Sequence, residues 1–508
     1  MVGCAPVLEV RRGKCGRLVE VLRPNAFAGG FRAVRIIILG AGQVGTSVAE
    51  SLVSEANDIT VVDVDAARLT LLQDRFDLRT VVGNASAPST LRQAGAEDAD
   101  MLIAVTQSDQ TNLCACKTAH ALFNLPTRIA RVRSGDFNEY AELFSKENFA
   151  VDFAICPEQI VTDNLVKLIE FPEALQVQEF ADGLVSLVAV RAFEGGPLVG
   201  HPLKDLRNHL PKVDARIAAI FRRDTPVTPE GDTVIEAGDE VFCLAATKDI
   251  RRVMHEIRRM DKPVKRIMIA GGGNIGFRLT RAIEHDYQVK VIDHNKRHAE
   301  WLAERVSKAL VLQGDATDET LLEEENVDEM DLFLALTNDD ENNIMAALLA
   351  KRLGAKRVVA LINRRAYADL VQGSQIDIAI SPAQTSIGAL LAHVRRGDVA
   401  AVHSLRRGAA EALELVVHGD EKSSQVVGRR IEQLPVIKGA TIGAIVRRRA
   451  AKDAPVFTDD LGEDHDRKVI MAHHDTLIRA GDHVIVFVVS KRLVPKVEKL
   501  FQVGVGFL

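Results

Sequence analysis

Two loops in this chain have the residue types and spacing to hold a phosphate. Gly40-Ala41-Gly42-Gln43-Val44-Gly45 and Gly271-Gly272-Gly273-Asn274-Ile275-Gly276 each spell G-x-G-x-x-G directly after a short apolar run. The first glycine allows a tight turn out of a strand. The second lets the backbone approach a pyrophosphate, and the third lets the following helix pack on the sheet. The free N–H groups and partial positive charge of that helix N-terminus then face the phosphates. Asp63 follows Gly40, and Asp293 follows Gly271, at nearly the same spacing, each closing the next apolar run. An acid at that place in a dinucleotide-binding unit accepts hydrogen bonds from both adenosine ribose hydroxyls and repels a 2′-phosphate, so the pattern points to NAD or NADH rather than NADP.

Further candidates stand at the C-terminal ends of later apolar runs, where ligands of open parallel sheets bind. Gly83-Asn84 and Gly314-Asp315 are placed to face the adenosine, and Thr106 and Thr337 the pyrophosphate or nicotinamide side. Asp109 and Asp340, a little further on, read as helix N-caps. The two sites differ in their flanks. Val64-Asp65-Ala66-Ala67-Arg68 follows Asp63, whereas the more basic His294-Asn295-Lys296-Arg297-His298 follows Asp293. That loop suits a different phosphate pattern, such as ATP or ADP, or else is simply solvated.

Catalytic groups are harder to find. Tyr140 and Tyr367 both lack the following lysine of a Tyr-x-x-x-Lys pair, and no Walker A lysine follows either glycine loop. His473-His474-Asp475 reads as a surface turn and Cys114-Ala115-Cys116 as small helical side chains rather than half a metal site. A soluble NAD-dependent oxidoreductase with one degenerate site remains the alternative to a non-enzymatic sensor.

The elements that must carry these residues come in two copies. Gly40 and Gly271, Gly83 and Gly314, and Thr106 and Thr337 are all separated by the same length of chain, and Asp63 and Asp293 by a length only a single position shorter. A register held across all these motifs marks a tandem duplication. In the first copy, apolar runs at Arg35–Gly40, Ile59–Asp63, Thr80–Gly83, Met101–Thr106 and Ile129–Arg133 alternate with helical patterns. The fold class is therefore α/β: two tandem units, each a Rossmann-like, doubly wound parallel sheet followed by a small α+β domain. The expected divisions are 34–156, 176–260, 265–382 and 403–501, with helices over Gln159–Glu170 and Thr385–Val394 as bridges. Residues 1–33 read as an upstream extension, expected to be disordered, with Val34 as the natural beginning. A polar stretch at about 450–468 lengthens the last small domain.

Composition bounds the partners. A net charge of −6 gives a polyanion no strong electrostatic footprint, so no nucleic acid partner is expected. No apolar run approaches the ~18 residues of a membrane span. The six cysteines form no paired framework and suit a reducing compartment.

The chain from about Val34 onward resembles the TrkA family of potassium uptake regulators, built of two tandem RCK (regulator of potassium conductance) units. The resemblance rests on both glycine loops, on Asp58-Ile59-Thr60-Val61-Val62-Asp63 and on Asp331-Leu332-Phe333-Leu334-Ala335-Leu336-Thr337-Asn338-Asp339-Asp340. More specific still are Ile376-Asp377-Ile378-Ala379-Ile380-Ser381-Pro382 and Ser404-Leu405-Arg406-Arg407-Gly408. It implies a non-enzymatic regulatory subunit, peripheral on the cytoplasmic face of the inner membrane and attached to a membrane-embedded, Trk-type potassium-translocating subunit. It further implies a homotetrameric ring that binds NAD or NADH, and in some members ATP or ADP, and gates its partner. In the second site His298 stands where the first copy, like the family, has Arg68, which weakens any charge contact to phosphate from that position.

Overall fold

The computed structural model describes residues 34–53, 57–223, 225–258, 263–371, 375–394, 399–406, 409–448 and 467–503. The expected N-terminal extension and most of the polar stretch near 450–468 lie outside the described residues.

The first unit opens with β1 (Arg35–Leu39), α1 (Gln43–Val53), β2 (Asp58–Asp63), α2 (Ala66–Gln73), β3 (Arg79–Val82) and α3 (Pro88–Gln93). It continues through β4 (Met101–Ala104), α4 (Asp109–Phe123), β5 (Thr127–Arg131), α5 (Gly135–Asn138), β6 (Phe153–Ile155) and the bridging helix α6 (Pro157–Glu170). The strands are parallel in the order β3-β2-β1-β4-β5-β6. Strands buried on both faces need no polar alternation, and Ile36 to Leu39 and Met101 to Ala104 are accordingly unbroken buried apolar runs. The small module has β7 (Ala174–Phe180), β8 (Val185–Arg191), α7 (Leu206–His209), β9 (Ala215–Arg222), β10 (Thr225–Val227), β11 (Glu240–Ala246) and α8 (Ile250–Ile257). Its sheet is antiparallel, ordered β10-β9-β11-β8-β7.

The second unit repeats this plan. Its parallel strands are β12 (Arg266–Ala270), β13 (Gln288–Asp293), β14 (Leu310–Gln313), β15 (Leu332–Ala335), β16 (Val358–Leu361) and β17 (Ile378–Ile380), ordered β14-β13-β12-β15-β16-β17. Between and after them run α9 (Asn274–Ile283), α10 (Lys296–Ala303), α11 (Glu319–Glu324), α12 (Asp340–Arg352), α13 (Arg365–Leu370) and the bridging helix α14 (Pro382–Val394). The last module holds β18 (Val399–Leu405), β19 (Ala410–Val416), β20 (Ala440–Arg448), β21 (Arg467–Met471), β22 (His483–Val488) and α15 (Val494–Phe501), in sheet order β18-β19-β22-β20-β21.

The units exchange their bridges. Val161, Leu165 and Ile169 of α6 share a core with Ile275, Leu279 and Ile283 of α9, the helix behind the other unit's glycine loop. Leu390, Leu391 and Val394 of α14 likewise join Val44, Val48 and Leu52 of α1. The first small sheet therefore shares its core with the second parallel sheet, and the second small sheet with the first. The two small sheets also pack face to face through Phe180, Phe242 and Phe487. This explains why β8 and β19 are buried along nearly their whole length, without the alternation usual in an antiparallel sheet.

Candidate functional site

The glycine loops are built as their residue types predict. Gly40 has φ +105° and Gly271 φ +101°, a left-handed geometry that admits glycine cheaply. Their N–H groups donate to the carbonyls of Val62 and Ile292. A Cβ on Gly45 would lie 1.8 Å from the Gly40 carbonyl oxygen, and one on Gly276 2.0 Å from that of Gly271. A Cβ on Gly42 or Gly273 would meet nothing within 4 Å. Two glycines of each loop thus serve the fold, while the middle one keeps the approach from the cleft open. That distribution fits a bound pyrophosphate better than packing alone.

Asp63 and Asp293 sit at the ends of β2 and β13 and tie each loop to its sheet. Asp63 accepts from the N–H of Ala41 at 2.6 Å and of Asp65 at 2.9 Å. Asp293 accepts from Gly272 N–H at 3.1 Å and Asn295 N–H at 2.9 Å. It also accepts from His298 Nδ1 at 2.9 Å. Burial works against the charged Asp293, but these hydrogen bonds and the neighbouring His298 hold its carboxyl below the usual range. The His298 ring stacks on Trp301, with centroids 5.4 Å apart and planes at 10°. Arg68 instead pairs with Asp65 at 3.2 Å and stays half-exposed at the cleft rim. The position that carries a half-exposed cation in the first site is therefore committed to the acid in the second. Of the basic flank, Lys296 and Arg297 are exposed and stand outside the lining of the cleft, whereas His294, Asn295 and His298 line it.

One cleft runs between the two parallel-sheet domains and is lined from both glycine loops. Gly40, Ala41, Gly42, Gln43, Val44, Asp63, Arg68, Gly83, Asn84 and Thr106 face it from the first unit. From the second come Gly271, Gly273, Asn274, Ile275, Asp293, His298 and Thr337. Gly45, Gly272 and Gly276 lie behind the surface. Gly314 and Asp315 stand outside this lining as well: a Cβ on Gly314 would strike Leu321, and Asp315 accepts from the N–H and hydroxyl of Thr317. Those two bonds also hold the Asp315 carboxyl below its usual range, against a small opposing effect of burial. Asn84 makes the matching turn to Ser86 in the first unit.

The cap assignments shift by one residue. Ser108 and Asp339 cap α4 and α12, with side chains accepting from the N–H of Thr111 and Asn342. Asp109 and Asp340, expected as caps, are buried first helical residues that hold the neighbouring strand ends. Asp109 accepts from the N–H of Arg133 and Ser134, and Asp340 from those of Asn363 and Arg364. A bond from a helix start to a distant strand end leaves no local sequence signal.

Asn112 and Asn343 are fully buried and were missed as site-shaping residues. Asn112 Oδ1 accepts from the N–H of Thr106 at 3.0 Å and its hydroxyl at 2.7 Å, while its Nδ2 donates to the Arg131 carbonyl at 2.9 Å. Asn343 does the same with Thr337 and Leu361. The available signal was that the two asparagines stand in the same repeat register as Thr106 and Thr337. Outside the cleft, His473 lies in a turn with Nε2 3.2 Å from Asp214 of the first small module. Cys114 is exposed and Cys116 buried, and burial pushes the Cys116 thiol up to about 12.

Comparison with known proteins places these features. The TrkA-N domain model matches residues 36–157 and 267–382, and the TrkA-C domain model residues 187–258. The Trk system potassium uptake protein TrkA of Halomonas elongata is 56% identical over 474 residues, covering 93% of this chain and all of the relative. The protein of the same name from Vibrio alginolyticus is 54% identical over 476 residues, covering 94% of this chain and all of that protein. Among solved structures, the GsuK RCK domain superposes with TM-score 0.57 at 17% identity, over 93% of this chain and 95% of its own. The GsuK channel bound to NAD does so with TM-score 0.56 at 18% identity, over 93% of this chain and 79% of its own. At these identities the structural likeness speaks to the fold.

Proposed function

Because this chain belongs to the TrkA family of Trk-system potassium uptake proteins, we propose that it is the nucleotide-sensing regulatory subunit of a potassium uptake system. The family is one of uptake proteins, not of enzymes. The observation that carries the proposal is the pair of glycine-loop sites facing one cleft, in units that clasp each other through exchanged bridging helices. Working divisions at 34–156, 176–260, 265–382 and 403–501 give each site a parallel-sheet domain and a small module. No described helix is long and apolar enough to cross a membrane. The proposed location is peripheral, on the cytoplasmic face of the inner membrane, against a membrane-embedded potassium-translocating subunit.

The ligand proposed is NAD or NADH, with ATP or ADP as further adenine nucleotides. It supplies the negative phosphate charge and the adenosine that the sites are shaped to take. Residues 40–45 and 271–276 would hold the pyrophosphate through backbone N–H groups. Asp63 and Asp293 each retain lone pairs for the ribose hydroxyls beside the loop N–H they already accept. Gly83, Asn84, Gly314 and Asp315 would shape the adenosine end, and Thr106 and Thr337 the opposite end. Arg68 and His298 would flank the ribose.

A ligand shifts a conformational equilibrium only by its difference in affinity for the two states. Here α6 and α14 touch each other, and each rests on the helix behind the other unit's glycine loop. A change at either loop therefore reaches both bridges. Four copies arranged in a ring would pass that change to the translocating subunit. The test is calorimetric titration of the full chain with NADH, alongside potassium flux in vesicles carrying the membrane subunit. We expect binding without turnover, a nucleotide-dependent flux, and loss of that dependence on substituting both Asp63→Ala and Asp293→Ala. A nucleotide response unchanged in the double variant sinks the proposal.

A further inference from the structure

The ribose ends of the two sites carry different charges. Each begins with the acid that closes the second strand, Asp63 or Asp293, and the residues after it pair one for one. Val64, Asp65 and Arg68 of the first unit answer to His294, Asn295 and His298 of the second. Asp65 and Asn295 cap α2 and α10, each accepting from N–H groups of the first turn. The cap is therefore charged in the first site and neutral in the second.

In the first site Asp65 also holds the Arg68 guanidinium, with Nε at 3.2 Å. Asp63 meanwhile accepts from the N–H groups of Ala41 and Asp65 and faces no cation among the described residues. Two carboxylates thus stand against a single guanidinium. In the second site His298 Nδ1 lies 2.9 Å from Asp293 Oδ2, and Nε2 makes no hydrogen bond among the described residues. Trp301 backs the ring, stacked at 5.4 Å. His294, Asn295 and His298 all line the cleft. The other charged groups nearby are Asp315, held by its bonds to Thr317 and more weakly by His294, and two arginines on the outer side. Arg305 lies over Trp301 at 4.5 Å, and Arg281 of α9 over Phe277 at 5.8 Å.

We propose, on the nucleotide-binding reading above, that the second site admits a dinucleotide phosphorylated on the adenosine 2′-hydroxyl, received by His298, and that the first site excludes it. An acid at this strand end repels a 2′-phosphate. An imidazole changes its charge near neutral pH. With Nδ1–H donating to Asp293, the second proton goes to Nε2. The pair then carries no net charge and presents a charge-assisted donor to the phosphate. His294 adds another imidazole where the first site has the apolar Val64, and Asn295 removes the carboxylate that Asp65 keeps. At the first site Asp63 and Asp65 outweigh Arg68. A free 2′-hydroxyl donates to either acid, so NADH suits both sites. Discrimination therefore follows protonation: the affinity of NADPH relative to NADH rises at the second site as pH falls.

Single-site chains test this. Gly42 and Gly273 have open space ahead of them, so Gly42→Asp or Gly273→Asp closes one site by charge without disturbing the fold. Calorimetry on the full-length Gly42→Asp chain, with only the second site open, should show NADPH about tenfold weaker than NADH near pH ~8 and within about twofold of it near pH ~6. The Gly273→Asp chain should prefer NADH at both pH values. Adding His298→Gln to the Gly42→Asp chain should weaken NADPH about tenfold near pH ~6 and leave NADH within about twofold. Adding His298→Arg instead, whose charge does not titrate, should retain NADPH near pH ~8. That variant shows whether the glutamine acts through charge or through folding, and it carries the phosphate's own titration as the reference. An equal NADPH-to-NADH ratio at the two sites, or a ratio at the second that ignores both pH and His298→Gln, overturns the inference. Absence of NADH binding to the unsubstituted chain overturns the nucleotide reading and this inference with it.

Discussion

Asp63 and Asp293 show how much one neighbouring residue changes an acid. Both hold a glycine-loop N–H and both close a strand, but only Asp293 also takes a hydrogen bond from an imidazole. The glycines divide just as sharply by environment. Gly45→Ala would drive a methyl group into the Gly40 carbonyl. It should lower stability by about 3 kcal/mol, the upper range of overpacking, and abolish NADH binding. Gly42→Ala should leave stability within about 0.5 kcal/mol and affect binding alone. Thermal melts and calorimetry on the two variants check the contrast, and equal melts would refute the assigned roles. The loops, the acids and their threonine partners were legible because each needs a particular residue type at a particular spacing. The roles of Asp109 and Asp340 were not, because each is set by a bond to a distant strand end.

Elements locate these residues through bonds between helix starts and strand ends. Asn343 satisfies the backbone of Thr337 and the carbonyl of Leu361 from within α12, joining the ends of β15 and β16. Asn343→Leu would strand several buried polar groups, each costing about 1–3 kcal/mol. A loss of at least about 3 kcal/mol is expected in urea denaturation, and a loss under about 1 kcal/mol would show that the clamp is dispensable. All but the last parallel strand of the first unit were legible as apolar runs, since a strand buried on both faces advertises itself. The short closing strands, Phe153–Ile155 and Ile378–Ile380, were not, because so few residues cannot display a period. The caps were placed one residue late for a related reason: Ser108-Asp109 and Asp339-Asp340 each offer two adjacent residues of capping type.

At the scale of the whole molecule, the two small sheets seal each other. His403 of β18 is half-buried at the edge of this packing, its Nε2–H donating to the Glu179 carbonyl of β7, with Phe180 edge-on at 4.8 Å. Burial lowers its pKa from 6.5 to about 4, and the Glu179 carbonyl offsets only part of this. The unfolded chain takes up a proton near 6.5 and the folded chain only near 4. Stability from this group is therefore complete above 6.5 and is lost as pH falls between the two, by about 3 kcal/mol at pH 4. Urea midpoints measured from pH 7 to pH 4 should fall less steeply in His403→Gln than in the unsubstituted chain. Parallel curves would remove His403 from the account.

The duplicated α/β plan, the two glycine loops, the acids that follow them and the family were all determined by the sequence itself. Those features depend on local spacing, and the constant register of the repeat recorded them twice. Tertiary structure alone decided that α6 and α14 cross to the opposite units, that both glycine loops face one cleft, and that Arg278 of one unit hydrogen-bonds the Arg133 carbonyl of the other. An apolar helix face states that it must be buried but not against which partner. With two near-identical units on offer, only the packed molecule shows which one it found.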